Sequence, residues 1–241
     1  MNVNKAITFV FEDNEWVSKV LLGTIISLIP LFGSIAVTGY AIAVLRNVRH
    51  GAPRPLPTWE RLGELFVDGL LFWVALLVYA IPLIILLCPV GTVWIPPAIA
   101  RDSQDLTAIL TVVAAVISAG VGCLALLYAL LLWVLSPVLQ IRYAEAEKFA
   151  ACLRFGEVFR FLSDNIGKVL IAQALVWAVG FLITSLASAL IGAFTLVPLC
   201  GWVVAGLLGL GFLPLGIWLM LFAAYLYGDI ARTATPDTRT A

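Results

Sequence analysis

Long stretches without a charged side chain are what most restrict the folds open to this chain. Gly69 to Ala100, Leu106 to Ile141 and Val169 to Gly228 run uncharged for 32, 36 and 60 residues, and Val20 to Leu45 for 26. At about 1.5 Å per residue, roughly 20 apolar helical residues cross the hydrocarbon core of a bilayer. Hydrophobic residues make up 63% of the 241 and charged ones 12%, with a mean hydropathy of +1.09, more than a soluble interior could hide. Lipid offers no hydrogen bonds, so each segment has to satisfy its own backbone, which a helix does. The expectation is an all-α, polytopic integral membrane bundle.

Four full spans fit these runs: Gly69 to Ala100, Leu106 to Ile141, and two in Val169 to Gly228 joined at Val197 to Gly201. Val20 to Leu45 differs, because Leu28-Ile29-Pro30-Leu31-Phe32-Gly33 divides it into halves of about 13 residues, each about 20 Å of helix and too short to cross alone. A near copy, Leu196-Val197-Pro198-Leu199-Cys200-Gly201, recurs in the last run. Pro30 and Pro198 each remove a helical hydrogen bond, and Gly33 and Gly201 permit a reversed backbone, so these four positions are the predicted structural breaks. The first segment is a re-entrant hairpin or a kinked fifth span, and the repeated break favours the hairpin. The organisation expected is one membrane domain: an interfacial N-terminal helix over 1–19, the broken segment over 20–45, helical hairpin units over 57–141 and 142–228, and a polar, disordered tail over 229–241.

Shorter amphipathic segments separate the runs. Val3, Ile7, Val10 and Phe11 recur at helical spacing, and Trp16 and Lys19 suit the headgroup level. Pro53, Pro55 and Pro57 exclude a helix until Thr58, a candidate N-cap for a second interfacial helix bearing Trp59, Leu62, Leu65 and Phe66. Arg142 to Lys168 reads as a third surface-lying segment. Within it Gly156-Glu157-Val158-Phe159 echoes Gly63-Glu64-Leu65-Phe66, a weak internal repeat. Ala114, Ser118 and Gly122, and later Thr184, Ser188 and Gly192, place small residues four apart, where a neighbouring helix could approach closely. Pro82, Pro89, Pro96, Pro97 and Pro214 should kink their spans. Glu12, Asp13 and Glu15 precede the first run without a small-residue cleavage site, so a removable signal peptide is not expected.

Phe11-Glu12-Asp13-Asn14-Glu15-Trp16, Ile29-Pro30, Gly39-Tyr40, Leu56-Pro57-Thr58-Trp59 and the stretch Gly63 to Gly69 together resemble the domain of unknown function family 4013, a group of prokaryotic membrane proteins. Asn14 and Thr58 stand where that pattern has proline and glutamate. The resemblance covers most of the chain and is clearest in the first 70 residues. It implies a membrane fold and supplies no activity or site.

Basic residues set the expected orientation. Arg46 to Asp68 and Arg142 to Lys168 carry four and five Lys or Arg, against one in Arg101 to Asp105 and none at the Pro198 turn. The first two segments and the C-terminus are therefore expected on the cytoplasmic side of a prokaryotic cytoplasmic membrane. Arg46, Arg49, Arg154 and Arg160 are the candidate lipid-headgroup contacts.

Chemistry has little to work with. The uncharged runs hold no Asp, Glu, Lys, Arg or His, the groups that mark ion paths and proton relays. One histidine, His50, excludes multi-histidine zinc sites, and no nucleophile elbow or phosphate loop occurs. Cys88, Cys123, Cys152 and Cys200 read as single packing residues. No catalytic, cofactor-binding or metal residue is assigned, and an enzyme would need Glu64, Asp68, Glu157 and Asp164 to meet. Zero net charge without long like-charge runs argues against nucleic acid. Gln173, an amide inside a run, is expected to hydrogen-bond between helices. The reading is a non-enzymatic membrane-organising or assembly component whose partners are lipids and other membrane proteins or itself. The rival is a small-solute permease using the helix breaks at Pro30 and Pro198.

Overall fold

The computed structural model describes residues 2–100, 103–195 and 200–234, and no strand occurs among them. The helices are α1 (Val3–Thr8), α2 (Trp16–Ser27), α3 (Phe32–Arg49), α4 (Leu62–Val93), α5 (Ile95–Ile99), α6 (Gln104–Ala146), α7 (Phe149–Cys152), α8 (Phe155–Thr195) and α9 (Cys200–Ala234). Short 3-10 turns cover Phe9–Glu12 and Trp59–Arg61. Four helical stretches among the described residues, Trp59–Ile99, Gln104–Ala146, Phe155–Thr195 and Gly201–Ala234, are long and apolar enough to cross a bilayer, which makes this a multi-pass membrane protein. By packing the chain forms two units, Met1–Trp73 with Pro137–Ala241, and Val74–Ser136.

In the first unit the broken segment folds back on itself. The Trp59 indole donates to the Lys19 carbonyl at 2.9 Å and stacks on Tyr40 at 4.2 Å, so one ring touches both arms on either side of the break. Only a reversal places α2 and α3 that way, so this segment is a helical hairpin and not a kinked span. The reversal centres on Leu31, not on glycine. Leu31 takes φ 62° and ψ −59°, and the Phe32 amide donates to the Pro30 carbonyl at 2.7 Å. That is a γ-turn of the rare positive-φ kind, strained for a residue with a Cβ. Gly33 serves close approach instead, since a Cβ there would lie 2.0 Å from the Ile26 carbonyl oxygen.

Helix α3 is the core of this unit. Ala36, Tyr40, Ile42, Val44 and Leu45 are all but inaccessible. Where α4 crosses it, a Cβ on Gly39 would sit 1.7 Å from the Leu65 carbonyl oxygen, and one on Gly69 1.9 Å from that of Ile35. Two glycines thus let two backbones touch, the way helices pack where lipid leaves no hydrophobic force between them. On another side, a Cβ on Gly228 of α9 would come within 2.9 Å of the Leu45 carbonyl oxygen. The small-residue stripes are used only in part: Ala114 is buried and Ser118 accepts from the Trp94 indole, but a Cβ added at Gly122 or Gly192 would meet nothing within 4 Å, and Thr184 and Ser188 are exposed.

The amphipathic segments are less independent than their sequences suggest. Helix α1 and the 3-10 turn after it dock on the C-terminal end of α9: Phe9 and Val10 are buried, the Phe9 ring packs at a tilt on Tyr225 at 4.7 Å, and the Asn2 amide donates to the Asp229 carboxylate at 3.2 Å. Ile7 and Phe11, expected on the same apolar stripe, are exposed. Asp229 also accepts from Arg232 at 3.0 Å, so α9 continues to Ala234 where a disordered tail was expected to begin, and 235–241 lie outside the described residues. Thr58 precedes the Trp59–Arg61 turn without capping it by its side chain, and that turn runs straight into α4. Arg142 to Lys168 likewise splits between the last turn of α6, the short α7 and the start of α8, which bends at Asn165 (φ −124°, ψ 16°) before entering its apolar stretch.

The second unit comprises the remaining lengths of α4 and α6 with α5 between them. Tyr128 donates to the Tyr79 carbonyl at 2.9 Å, and the Trp94 indole to the Ser118 hydroxyl at 3.0 Å. Pro96 and Pro97 occupy the first turn of α5, where a missing amide removes no helical bond. Pro82 and Pro89 are accommodated within α4.

Candidate functional site

Three chain segments far apart in sequence bring alternating charges together in the first unit: the last turn of α3, the first turns of α4 and the link from α6 to α8. Arg46 lies with Nη2 3.4 Å from Asp68 and Nε 3.1 Å from Glu147. The other oxygen of Asp68 accepts from the buried Tyr143 hydroxyl at 3.1 Å. Arg49 approaches Glu145 at 3.9 Å, Arg142 contacts both Glu145 at 3.2 Å and Glu157, and Arg154 reaches Glu157 at 3.1 Å. Side chains of Arg46, Arg49 and Arg142 are about one-fifth exposed, so these pairs are screened less than surface pairs. Glu147 is placed by local geometry: it follows α6 at φ 53°, with its amide bonded to the Tyr143 carbonyl, the left-handed residue that ends a helix.

In three dimensions the internal repeat extends to six residues. Arg61-Leu62-Gly63-Glu64-Leu65-Phe66 and Arg154-Phe155-Gly156-Glu157-Val158-Phe159 open α4 and α8 in the same register, each with an Arg–Glu pair three residues apart and a buried residue after the acid. Acidic side chains in a first turn also suit the positive end of the helix dipole. A cavity of about 610 Å³ borders the first copy, lined by Arg46, Arg61, Glu64, Asp68 and Glu147. One of about 250 Å³ borders the second, lined by Arg142, Glu145, Lys148, Arg154 and Glu157. The buried Nε of Arg46 and of Arg142 each lacks an aligned hydrogen-bond acceptor.

The profile of one protein family matches residues 22–193, well over half of the chain. The chain belongs to that family, DUF4013, described as a protein of unknown function. The matched stretch holds the α2–α3 hairpin tip, the Gly39–Gly69 crossing and both copies of the Arg-x-Gly-Glu repeat. No curated protein and no solved structure matches the chain.

Of the predicted headgroup contacts, Arg46 and Arg49 are drawn into the network, Arg154 is 68% exposed and paired to Glu157, and Arg160 is exposed with no ion pair among the described residues. Pro30 and Gly33 lie at the reversal; Pro198 falls outside the described residues, and Gly201 is in the first turn of α9. Glu64 and Asp68 share a cavity and Glu157 joins the network, but Asp164 is an exposed residue of α8. Among the described residues no cluster of His, Cys, Asp or Glu is arranged to hold a metal ion. Asp68, Tyr143, Glu145 and Glu147 were not singled out as members of one network by the sequence, because their meeting depends on which helices become neighbours.

Several polar groups near the spans have partners, although the buried Trp218 indole N–H of α9 has no hydrogen-bond acceptor among the described residues. Tyr227 donates to the Gln173 amide oxygen at 2.5 Å, joining α8 to α9 as expected. The Ile29 carbonyl ahead of Pro30 accepts from the Gly33 amide at 2.9 Å, and the Thr184 hydroxyl turns back on the Gly180 carbonyl at 2.8 Å. Burial pushes the Cys152 thiol up to about 11, against the opposing charge of Arg142, which keeps it protonated and unreactive at neutral pH. Near α2, burial raises the Asp13 pKa, but the hydrogen bonds from Lys19 and the Glu15 amide and the charges of Lys19 and Arg54 outweigh it and hold the carboxyl below its ordinary value.

Proposed function

We propose that the protein is a non-enzymatic membrane-organising or assembly component, folded on its own polar groups and presenting its apolar outer surface to lipid, to other membrane proteins or to a second copy. The observation that carries this reading is the internal use of the groups a permease would offer to a solute: Gln173 is taken by Tyr227 and the Ile29 carbonyl by Gly33. Trp177, Phe181 and Leu182 of α8 are between 63% and 68% exposed, a surface that lipid or a partner helix has to cover. The excess of basic residues at its charged end, with Arg46, Arg49, Arg142 and Arg154, supports a cytoplasmic side for that end in a prokaryotic cell, and the Asn2–Asp229 contact supports the same side for both of those residues. Cysteines introduced at Ala150 and Ser103 report this orientation, the first labelled only after the membrane is opened and the second from outside.

Two measurements on the full chain test the reading together. Extraction into native nanodiscs, followed by mass spectrometry, should recover lipid or a membrane protein in constant proportion. Vesicles reconstituted with the protein and loaded with small solutes should stay as tight as empty ones. A leak that Gln173→Leu abolishes would make the protein a permease.

A further inference from the structure

A further cavity lies apart from the charged network, between α2 and the Trp59 turn, with a volume of about 540 Å³. Its lining changes character along its length. Glu15, Ser18, Lys19, Thr58 and Glu60 form one end, and Leu22, Ile26 and Leu62 the other. From Glu15 to Ile26 the groove follows α2 for roughly 16 Å at the helical rise. Its polar end lies beside Trp16 and Lys19, the residues expected at headgroup level, and its apolar end points toward the hairpin tip, where Leu28, Ile29 and Leu31 are exposed. A polar mouth leading into an apolar slot at that depth fits an amphiphile.

The charges narrow its chemistry. Glu15 is 70% exposed, and Glu60 is exposed with no ion pair among the described residues. Two carboxylates at the mouth favour a cation with N–H donors. Lys19, 11% exposed, donates to Asp13 at 2.8 Å and to the Leu56 carbonyl at 3.3 Å and pairs with Glu15 at 4.0 Å, too long for a hydrogen bond, so this ammonium on the groove wall keeps one N–H without a hydrogen bond among the described residues. The exposed Thr58 hydroxyl, not used for capping, is a further donor. A ligand carrying a primary ammonium beside a phosphate matches both signs.

We propose that this groove holds the headgroup and upper acyl chain of phosphatidylethanolamine. The ammonium sits against Glu15 and Glu60, the phosphate against Lys19 and Thr58, and the chain along Leu22, Ile26 and Leu62. Phosphatidylcholine has the same net charge but no N–H, and phosphatidylglycerol brings only negative charge to a mouth with two carboxylates. Gly23 keeps the slot's wall in place, since a Cβ there would press on the Trp59 ring at 3.0 Å. This assignment rests on the lipid-packing reading above and names the lipid.

Native mass spectrometry of the full chain, titrated in detergent with dioleoyl phosphatidylethanolamine, phosphatidylcholine or phosphatidylglycerol, tests it. One charge-assisted hydrogen bond set gives about a tenfold preference for the ethanolamine lipid over the choline lipid. Glu15→Gln with Glu60→Gln should bring the two lipids within about twofold, and Leu22→Trp, at an exposed position, should fill the slot and lower retention of the ethanolamine lipid without loss of helicity. Equal retention of the two lipids by the unaltered protein, or a preference unmoved by both variants, overturns the proposal. Displacement of the lipid by glycerophosphoethanolamine, which has no acyl chains, also overturns it and makes the groove a soluble headgroup site. Failure here alongside tight vesicles leaves the membrane-organising role standing, whereas a Gln173-dependent leak removes that role whatever the groove binds.

Discussion

Helices α3 and α8 are both largely apolar, yet they face opposite surroundings. Helix α3 is buried along most of its length, touched at backbone distance by α4 through Gly39 and Gly69 and by α9 through Gly228. In α8 none of the most apolar 18-residue stretch is buried, and its glycine at 192 faces open space. In water the more apolar helix would go inside. In lipid, leaving an apolar side chain exposed costs little, so what sends a helix to the core is the ability to be approached closely. Small residues on α3 give that ability, and bulky Leu, Phe and Trp on α8 suit the lipid side.

The comparison breaks most visibly at the glycines. Gly39→Leu has no room beside the Leu65 carbonyl and should cost more than about 3 kcal/mol, read as loss of monodisperse folded protein. Gly192→Ala on α8 should stay within about 0.5 kcal/mol of the parent, and a comparable loss there would mean that α8 is packed rather than exposed. Next in size come matched leucines. Leu45→Ala empties a fully buried position and should destabilise by about 2 kcal/mol through lost packing, while Leu182→Ala, 68% exposed, should change denaturation in mixed micelles by under about 0.5 kcal/mol.

Smaller effects sharpen the contrast at the edges of the two helices. Gln173→Leu strands the buried Tyr227 hydroxyl where α8 does touch α9, and should cost about 1 kcal/mol in the same unfolding assay. Smallest is the ion pair that ties the start of α2 near the Trp59 turn. Asp13 has its folded pKa below the ordinary 3.8, so its contribution is fully present above that value and is lost as pH falls through the lower folded pKa. The stability difference between the parent and Asp13→Asn, under about 1 kcal/mol, should therefore be flat at neutral pH and shrink only below about 3.8. A difference that vanishes nearer pH 6 would assign the effect to another group.

Much of this protein follows from one-dimensional information. Runs of 32, 36 and 60 uncharged residues require helices in lipid whatever their neighbours, because backbone satisfaction there is a property of the segment. The break at Pro30 is equally local, since proline removes its own amide from the ladder. The echo of Gly63-Glu64-Leu65-Phe66 in Gly156-Glu157-Val158-Phe159 marked two helix starts that the structure places in one register.

What only the tertiary structure decided is which surfaces meet. Regular spacing drew attention to Ala114, Ser118 and Gly122 and to Thr184, Ser188 and Gly192, but close approach went to Gly39 and Gly69, one on each of two helices, a pairing that no periodicity within a helix encodes. Arg46 and Arg49, candidate headgroup contacts by sequence, pair with Asp68, Glu145 and Glu147, carboxylates that the crossing of other helices brings beside α3. Leu31, not glycine, took the positive φ at the reversal, while Gly33 was used for close approach to the Ile26 carbonyl. Segment-level solvation is written in composition; pairing is a property of two surfaces at once, and a single sequence reports each surface alone.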